Sequence, residues 1–407
     1  DERSPKYVDH LNKTFYFLED GRCFIVREET STGYMHLYLY GIGQGVLHPI
    51  TQGEWEVTDF VGLRGDKVYY ISTESSPLKR DLYRVGLDGK HKERLTPGDG
   101  YYSIYPSADL SYYICEGGDS SAPGRTDVFN AAGKRVRTLY DNAPLKEALV
   151  EAGLPVREFF TFTTERGDEL NGYMLKPLDF DPAKRYPVLL TQYSGPGSQQ
   201  VAEGWGPDWE DALVTHGYIV VCVDPRGTGY RGEEFKKLTY GNLGRLEVED
   251  QISTARYMAR QSYVDPARIG IYGWSYGGFM ALGCAFRGEG LFKMAIAVAP
   301  VTSWRYYDSI YTENFNGLPD DYPKGYDDNS PVNLAHLFRD DSTRLLIVHG
   351  TADDNVHFQN TMEMARALNK LGKQYDMMVY PDQNHSMMPD DMIHVREKML
   401  RYTLENL

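Results

Sequence analysis

Apolar and polar positions follow two rhythms along this chain, and the change falls near residues 142–156. Before it, short runs alternate. His36-Leu37-Tyr38-Leu39-Tyr40 leads through a glycine-rich turn into Val46-Leu47-His48-Pro49-Ile50-Thr51. Asp81-Leu82-Tyr83-Arg84-Val85 leads through Asp88-Gly89 into Glu93-Arg94-Leu95-Thr96, and Thr126-Asp127-Val128-Phe129 leads through Ala132-Gly133 into Val136-Arg137-Thr138-Leu139. A period of two interrupted by tight turns predicts strand–turn–strand units. Leu37, Leu82 and Val128 recur at about 45 residues, the repeat length of a four-stranded propeller blade. The segment holds about three blades, whereas a closed propeller needs at least four and an open stack leaves unpaired edges. Residues 1–150 are therefore expected to be the C-terminal part of a β-propeller domain whose earlier blades precede this sequence.

After about Val156 the apolar runs become continuous and alternate with helical stripes. Strands are predicted at Val188–Gln192, Tyr218–Asp224, Arg268–Tyr272, Ala295–Ala299, Leu345–His349 and Met377–Tyr380. Between them, Val248, Ile252, Ala255 and Ala259 mark one amphipathic helix, and Met364, Leu368 and Leu371 mark another. Strands that are apolar on both faces require a mostly parallel sheet covered by helices, so residues 151–407 are expected to form a doubly wound α/β domain.

Composition narrows this picture only slightly. A length of 407 residues with 41% hydrophobic content suits two domains with real cores. A formal net charge of -15 argues against nucleic-acid binding, which needs basic surface to meet phosphates. No run reaches the roughly 18–20 apolar residues of a membrane helix, so no membrane segment is expected in this chain. Four cysteines do not make a disulfide framework. Cys222 and Cys284 read as buried thiols, while Cys23 and Cys115, in separate strand-like segments, fit either free or paired states. The opening residues Asp1-Glu2-Arg3-Ser4-Pro5 lack a basic-then-apolar signal pattern, as expected of a mature start or of a chain cut from something longer.

The candidate chemistry begins at Gly273-Trp274-Ser275-Tyr276-Gly277-Gly278, which follows a predicted strand and precedes a helical run. G-x-S-x-G in that setting is a nucleophile elbow, the mark of an α/β-hydrolase. The turn lifts the Ser275 hydroxyl above the sheet and aims the Tyr276 N–H at a developing oxyanion. A serine needs a base, and the base needs an orienting acid; in this fold both come later in the chain. Gly350-Thr351-Ala352-Asp353-Asp354-Asn355 places two aspartates past one strand, and spacing alone leaves Asp353 and Asp354 equivalent. Pro381-Asp382-Gln383-Asn384-His385 puts His385, alone among ten histidines, in the turn directly after the last strand. His349, Asp353 and His357 make a poor metal site, because His349 lies inside a strand and no further ligands accompany them. Asp224-Pro225-Arg226-Gly227-Thr228-Gly229-Tyr230 has no lysine to make it a phosphate loop, and Glu249-Asp250 reads as structural.

These motifs, together with His349-Gly350-Thr351-Ala352-Asp353-Asp354-Asn355-Val356-His357 and Ala299-Pro300-Val301-Thr302-Ser303-Trp304, resemble the dipeptidyl peptidase IV branch of the prolyl oligopeptidase family, in its bacterial, Bacteroidetes-type form. The resemblance spans the hydrolase half and the blades before it. It implies that Asp353 is the catalytic acid, and that Tyr193, in Gln192-Tyr193-Ser194-Gly195-Pro196, is a second oxyanion donor beside the Tyr276 N–H. Each donor is expected to supply about 3 kcal/mol. It further implies a proline slot of Tyr276, Val301, Trp304, Tyr307, Tyr311 and Val356, with Asn355 binding the substrate carbonyl before the scissile residue. Trp304, Tyr307 and Tyr311 stand at i, i+3 and i+7, the spacing of one helical face.

The family's propeller glutamates, which hold the substrate amino group, have no Trp-x-Tyr-Glu-Glu-Glu counterpart here, and their arginine partner is missing too. The expected function is a serine exopeptidase that releases N-terminal dipeptides with penultimate proline or alanine through an acyl-enzyme on Ser275. Prolyl tripeptidyl peptidase and broader acylaminoacyl peptidase or esterase activities are the alternatives, and no metal or organic cofactor is needed. The resemblance also implies a homodimer in the full-length form and a periplasmic or extracellular location.

Overall fold

The computed structural model describes residues 3–9, 14–153 and 155–407. Those up to Val156, with Ala202–Gly206 and Gly229–Lys236, form one compact unit; Arg157–Val201, Pro207–Thr228 and Lys237–Leu407 form the other.

The first unit is built from three four-stranded antiparallel sheets in chain order. They are β1 (Thr14–Phe17), β2 (Cys23–Glu28), β3 (His36–Gly41) and β4 (Gly45–Pro49); β5 (Val57–Arg64), β6 (Lys67–Ser72), β7 (Asp81–Gly86) and β8 (Glu93–Arg94); and β9 (Tyr101–Pro106), β10 (Tyr112–Gly118), β11 (Arg125–Asn130) and β12 (Arg135–Tyr140). Each predicted strand–turn–strand unit is the outer hairpin of one sheet. The middle sheet explains the arrangement. Alternate residues of β6 point to opposite faces, so Val68 and Tyr70 join the core with Ile25, Leu37 and Leu39 of the first sheet. Tyr69 between them joins the core with Tyr113, Cys115 and Phe129 of the third. A strand buried on both faces packs sheets side by side, as blades do. The return segment Gly229–Lys236 is tied in by charge. Lys236 Nζ lies 3.0 Å from Asp9 Oδ2 and 2.5 Å from Glu29 Oε2, and Glu56 Oε1 accepts from the Gly232 N–H at 2.9 Å.

The second unit holds an eight-stranded sheet in the order β13-β14-β16-β15-β17-β18-β19-β20. Its strands are β13 (Glu158–Thr163), β14 (Glu169–Leu175), β15 (Tyr186–Thr191), β16 (Ile219–Asp224), β17 (Val264–Trp274), β18 (Met294–Val298), β19 (Arg344–Gly350) and β20 (Asp376–Tyr380). From β16 to β20 all pairs are parallel, while β13 and β14 run antiparallel at one edge. The six predicted strands are all present. The two antiparallel ones are additions, and β13 is a short run whose Phe160 and Phe162 rings stack on Tyr257 at 5.8 and 4.7 Å.

The helices that bear on the site are α1 (Arg245–Ala259), α2 (Tyr276–Arg287), α3 (Ser309–Asn316), α4 (Gln359–Lys370) and α5 (Pro389–Asn406). In α4 the buried stripe is Met364 and Leu368; Leu371 falls just past the helix end and is half exposed, so it does not belong to that stripe. All four cysteines are free, which settles Cys23 and Cys115.

The end of β16 and the loop after it carry internal charge contacts. Asp224 accepts from the Gln200 and Val201 N–H groups at 2.9 Å each. Arg226 places Nε and Nη2 on Asp250 at 3.0 and 2.6 Å and Nη1 on Asp168 at 3.1 Å, tying the loop after β16 to α1. From β15 the chain passes to β16 on one side and then returns to β17 on the other. The sheet therefore has its switch point between the strands that end at Thr191 and Trp274, where ligands bind in open α/β sheets.

Candidate active site

Ser275 sits where β17 turns into α2, with φ 62 and ψ -117. A non-glycine residue in that region stores about 1–3 kcal/mol, so the surroundings must hold it there. They do so at close quarters. A Cβ on Gly273 would lie 2.5 Å from the Gln192 side-chain nitrogen, and one on Gly277 would lie 2.5 Å from the Gln192 carbonyl, so neither position admits a side chain. The Ser275 N–H donates to Val298 O at 2.8 Å, and the Ser275 carbonyl accepts the first helical bond from Phe279 at 3.0 Å. The hydroxyl is thereby presented at the positive end of α2.

Asp353 follows β19, and its side chain is wholly buried. Its Oδ1 accepts from the Asn355 and Val356 N–H groups at 3.0 and 2.9 Å. Its Oδ2 lies 2.7 Å from His385 Nδ1 and 3.1 Å from His349 Nε2. Asp354, by contrast, is exposed. Of the two aspartates that spacing leaves equivalent, the structure brings Asp353 to the histidine. Burial alone would raise the Asp353 pKa; the hydrogen bonds from His349 and His385 outweigh it and hold the carboxyl well below its usual range. His349 Nε2 also faces Val356 O at 2.8 Å, so both of its partners are acceptors and this nitrogen carries the proton. Thr361 Oγ1, 2.8 Å from His349 Nδ1, completes the ring's partners. His349 is thus a buttress of Asp353.

His385 lies in the loop after β20. Its main-chain oxygen accepts from the Trp274 indole N–H at 3.1 Å, so the residue before Ser275 holds the histidine loop. The Ala352 N–H donates to Gln383 O at 3.0 Å and the Asp382 N–H to Thr351 Oγ1 at 2.8 Å, zipping the acid and histidine loops together.

Tyr193 follows β15 at the switch point, and its ring centre is 5.9 Å from that of Tyr276. A buried polar chain fixes its main chain. Gln192 Nε2 donates to Gly277 O at 2.9 Å, Ser194 Oγ donates to Gln192 Oε1 at 2.9 Å, and Gln251 Nε2 reaches Ser194 Oγ at 3.2 Å and Val223 O at 2.9 Å. Burial raises the Tyr193 pKa, so the phenol stays neutral and able to donate at neutral pH.

Four of the predicted slot residues converge as well. Tyr276 and Trp304 are 5.4 Å apart between ring centres, Trp304 and Tyr307 6.1 Å, Trp304 and Tyr311 6.3 Å, and Tyr307 and Tyr311 5.4 Å. Val301 and Val356 are buried. The helical face expected of the three aromatics is not what joins them. Trp304 begins a three-residue 3₁₀ turn, Tyr307 is extended at φ -109 and ψ 163, and Asp308 starts a new helix by capping the Tyr311 N–H at 2.8 Å. The rings meet because the chain turns between them. The Tyr307 hydroxyl donates to Asn355 Oδ1 at 2.7 Å, which orients the amide and leaves the Asn355 NH₂ as the donor facing outward. Desolvation brings the Tyr307 pKa up to about 12, which keeps that hydroxyl protonated.

Three supporting roles escape sequence reasoning. Gln192 leaves no local signal, and His349, weighed along the chain only as a metal ligand, turns out to hold Asp353. Glu247 leaves a weak signal, a glutamate three residues after Gly244 at a helix start, and both its oxygens lie 3.0 Å from the Gly244 N–H.

Comparison with known proteins agrees in both units. The model of the prolyl oligopeptidase family matches residues 205–407, and that of the dipeptidyl peptidase IV N-terminal region matches residues 1–123. Dipeptidyl-aminopeptidase B of Aspergillus niger is 41% identical over 366 residues, covering 87% of this chain and 40% of the relative. The crystal structure of Porphyromonas gingivalis dipeptidyl peptidase 4 superposes with a TM-score of 0.94 at 40% identity, covering 100% of this chain and 57% of that one. The chain thus spans about two-fifths of the length of the curated relative it matches. Strand order, nucleophile turn and family matches lead to one assignment: this chain belongs to the prolyl oligopeptidase family, in its dipeptidyl peptidase IV branch.

Proposed function

We propose that the protein is a serine exopeptidase that releases N-terminal dipeptides ending in proline or alanine, with residues 151–407 as its catalytic part and residues 1–150 as the end of its propeller. The observation that carries this reading is the 2.7 Å contact of His385 Nδ1 with Asp353, in a loop whose main chain is bound by the residue next to Ser275.

In this mechanism Ser275 Oγ attacks the carbonyl carbon of the second residue while His385 Nε2 takes its proton. Asp353 keeps the other ring nitrogen protonated and stabilises the imidazolium. The Tyr193 hydroxyl and the Tyr276 N–H hold the tetrahedral oxyanion. The C–N bond then breaks, the His385 proton goes to the departing amine, and an ester remains on Ser275. Water, deprotonated by His385, attacks that ester and frees the dipeptide and the serine. The flat ring of a proline fills the slot between Tyr276, Trp304, Tyr307 and Tyr311, and the Asn355 NH₂ binds the carbonyl before it.

Two measurements test this. Hydrolysis of a Gly-Pro chromogenic amide is expected to exceed that of an Ala-Ala-Pro amide; the reverse order would favour tripeptide release, and cleavage of neither would overturn the prolyl assignment. Tyr193→Phe, which deletes one oxyanion donor, is expected to lower kcat by about 10²–10³-fold with KM little changed. A loss of less than about threefold would remove Tyr193 from that role.

Family membership supports two further parts of the proposal: a homodimeric full-length protein, checked by sedimentation equilibrium, and a periplasmic or extracellular location, checked by cell fractionation. No helix among the described residues is long and apolar enough to cross a membrane.

A further inference from the structure

A carboxyl that takes no part in the triad lies behind the candidate oxyanion site. Glu247, near the start of α1, is 0% exposed, and its Oε1 accepts from the Tyr276 hydroxyl at 2.6 Å. The same carboxyl closes the first turn of α1 through the Gly244 N–H. Tyr276 is the first residue of α2, immediately after Ser275, and is 2% exposed. Its ring touches Phe279 and Trp304, with centres at 5.3 and 5.4 Å, and faces Tyr193. One side chain thus joins the wall of the slot to a buried acid, while its own N–H is the candidate oxyanion donor.

A helix cap alone does not call for this arrangement. Gly244 could be capped by a partly exposed side chain, whereas burying a carboxyl costs several kcal/mol unless it is well hydrogen-bonded. Desolvation raises the Glu247 pKa to about 7, against the Tyr276 and Gly244 hydrogen bonds that lower it. The other charged group acting on it is Asp250 of the same helix, which is itself paired with Arg226. The phenol is equally dependent on the acid, because a buried tyrosine hydroxyl needs a partner.

We propose that Glu247 is a positioning residue of the acyl-transfer centre, gripping the Tyr276 phenol so that this residue's ring and N–H are both held where the reaction needs them. The inference rests on the reading of Ser275 as nucleophile. Tyr276 has two tasks, walling the slot and binding the oxyanion, and a small displacement of a preorganised donor costs rate rather than affinity.

The test measures kcat and KM on a Gly-Pro amide. Tyr276→Phe and Glu247→Ala are each expected to lower kcat about 10- to 100-fold while KM stays within about threefold. Glu247→Gln, which keeps an acceptor for the phenol, is expected to recover most of that loss. The double variant Tyr276→Phe/Glu247→Ala should be no slower than the slower of its two single variants, since the two residues act through one bond. The proposal is overturned if Tyr276→Phe keeps kcat within about twofold of the parent, or if the double variant loses the product of the single effects. Tyr276→Phe removes a single oxygen, so the test does not depend on whether Glu247→Ala folds. If Ser275→Ala retains turnover, the acyl-transfer reading itself fails, an outcome distinct from either of these.

Discussion

Ser275→Ala is expected to lower kcat by about 10⁶-fold in amide hydrolysis, the loss seen when the nucleophile of a triad is removed. The change is confined to one oxygen. Alanine has the same Cβ, so it meets the same backbone strain at φ 62, and Ser275 makes its structural bonds through its main chain, to Val298 and Phe279. The variant should therefore fold with an unchanged Tm and still bind substrate, which equilibrium binding of a Gly-Pro peptide checks. Residual kcat within tenfold of the parent would show that another group carries the chemistry.

Asp353→Asn is expected to lower kcat by about 10⁴-fold. The reason lies in the number of donors around this carboxylate. Two main-chain N–H groups point at Oδ1, and His385 and His349 point at Oδ2. An asparagine must turn its NH₂ toward one of these pairs. The main-chain donors cannot change character, so the NH₂ faces the histidines, and His385 must accept at Nδ1 and carry its proton on Nε2. In that tautomer the ring has no lone pair for the Ser275 proton. Asp354→Asn is the matched control: that side chain is exposed and lies outside the hydrogen-bonded set, so kcat should stay within about twofold. Equal losses in the two variants would contradict the assignment of the acid.

Much of this site is legible in the sequence because its parts are local. The turn at Ser275 needs its glycines within two residues, and Asp353 and His385 stand directly past strands whose apolar runs are plain to read. The blades are legible for a similar reason, since a period-two hairpin repeated at a fixed spacing marks them. The antiparallel pair β13 and β14 is harder to see, because Phe160 and Phe162 bury themselves against Tyr257, a helix residue almost a hundred positions away. The return of Gly229–Lys236 to the first unit is invisible for the same reason: the partners of Lys236 are Asp9 and Glu29.

By itself, then, the sequence determines the two structural classes and the order of six of the sheet strands, and singles out Ser275, His385 and a pair of aspartates as candidates. Spacing leaves those aspartates equivalent and the family resemblance points to Asp353; the tertiary structure adds the physical reason, four donors that enclose its carboxylate. It also replaces a helical aromatic face with three rings gathered across a capped break at Asp308, and it places Gln192, Glu247 and His349 in contact with Gly277, Tyr276 and Asp353. Hydrogen-bond geometry and burial are properties of distance in space. A code read along the chain specifies them only where the partners are also neighbours in sequence.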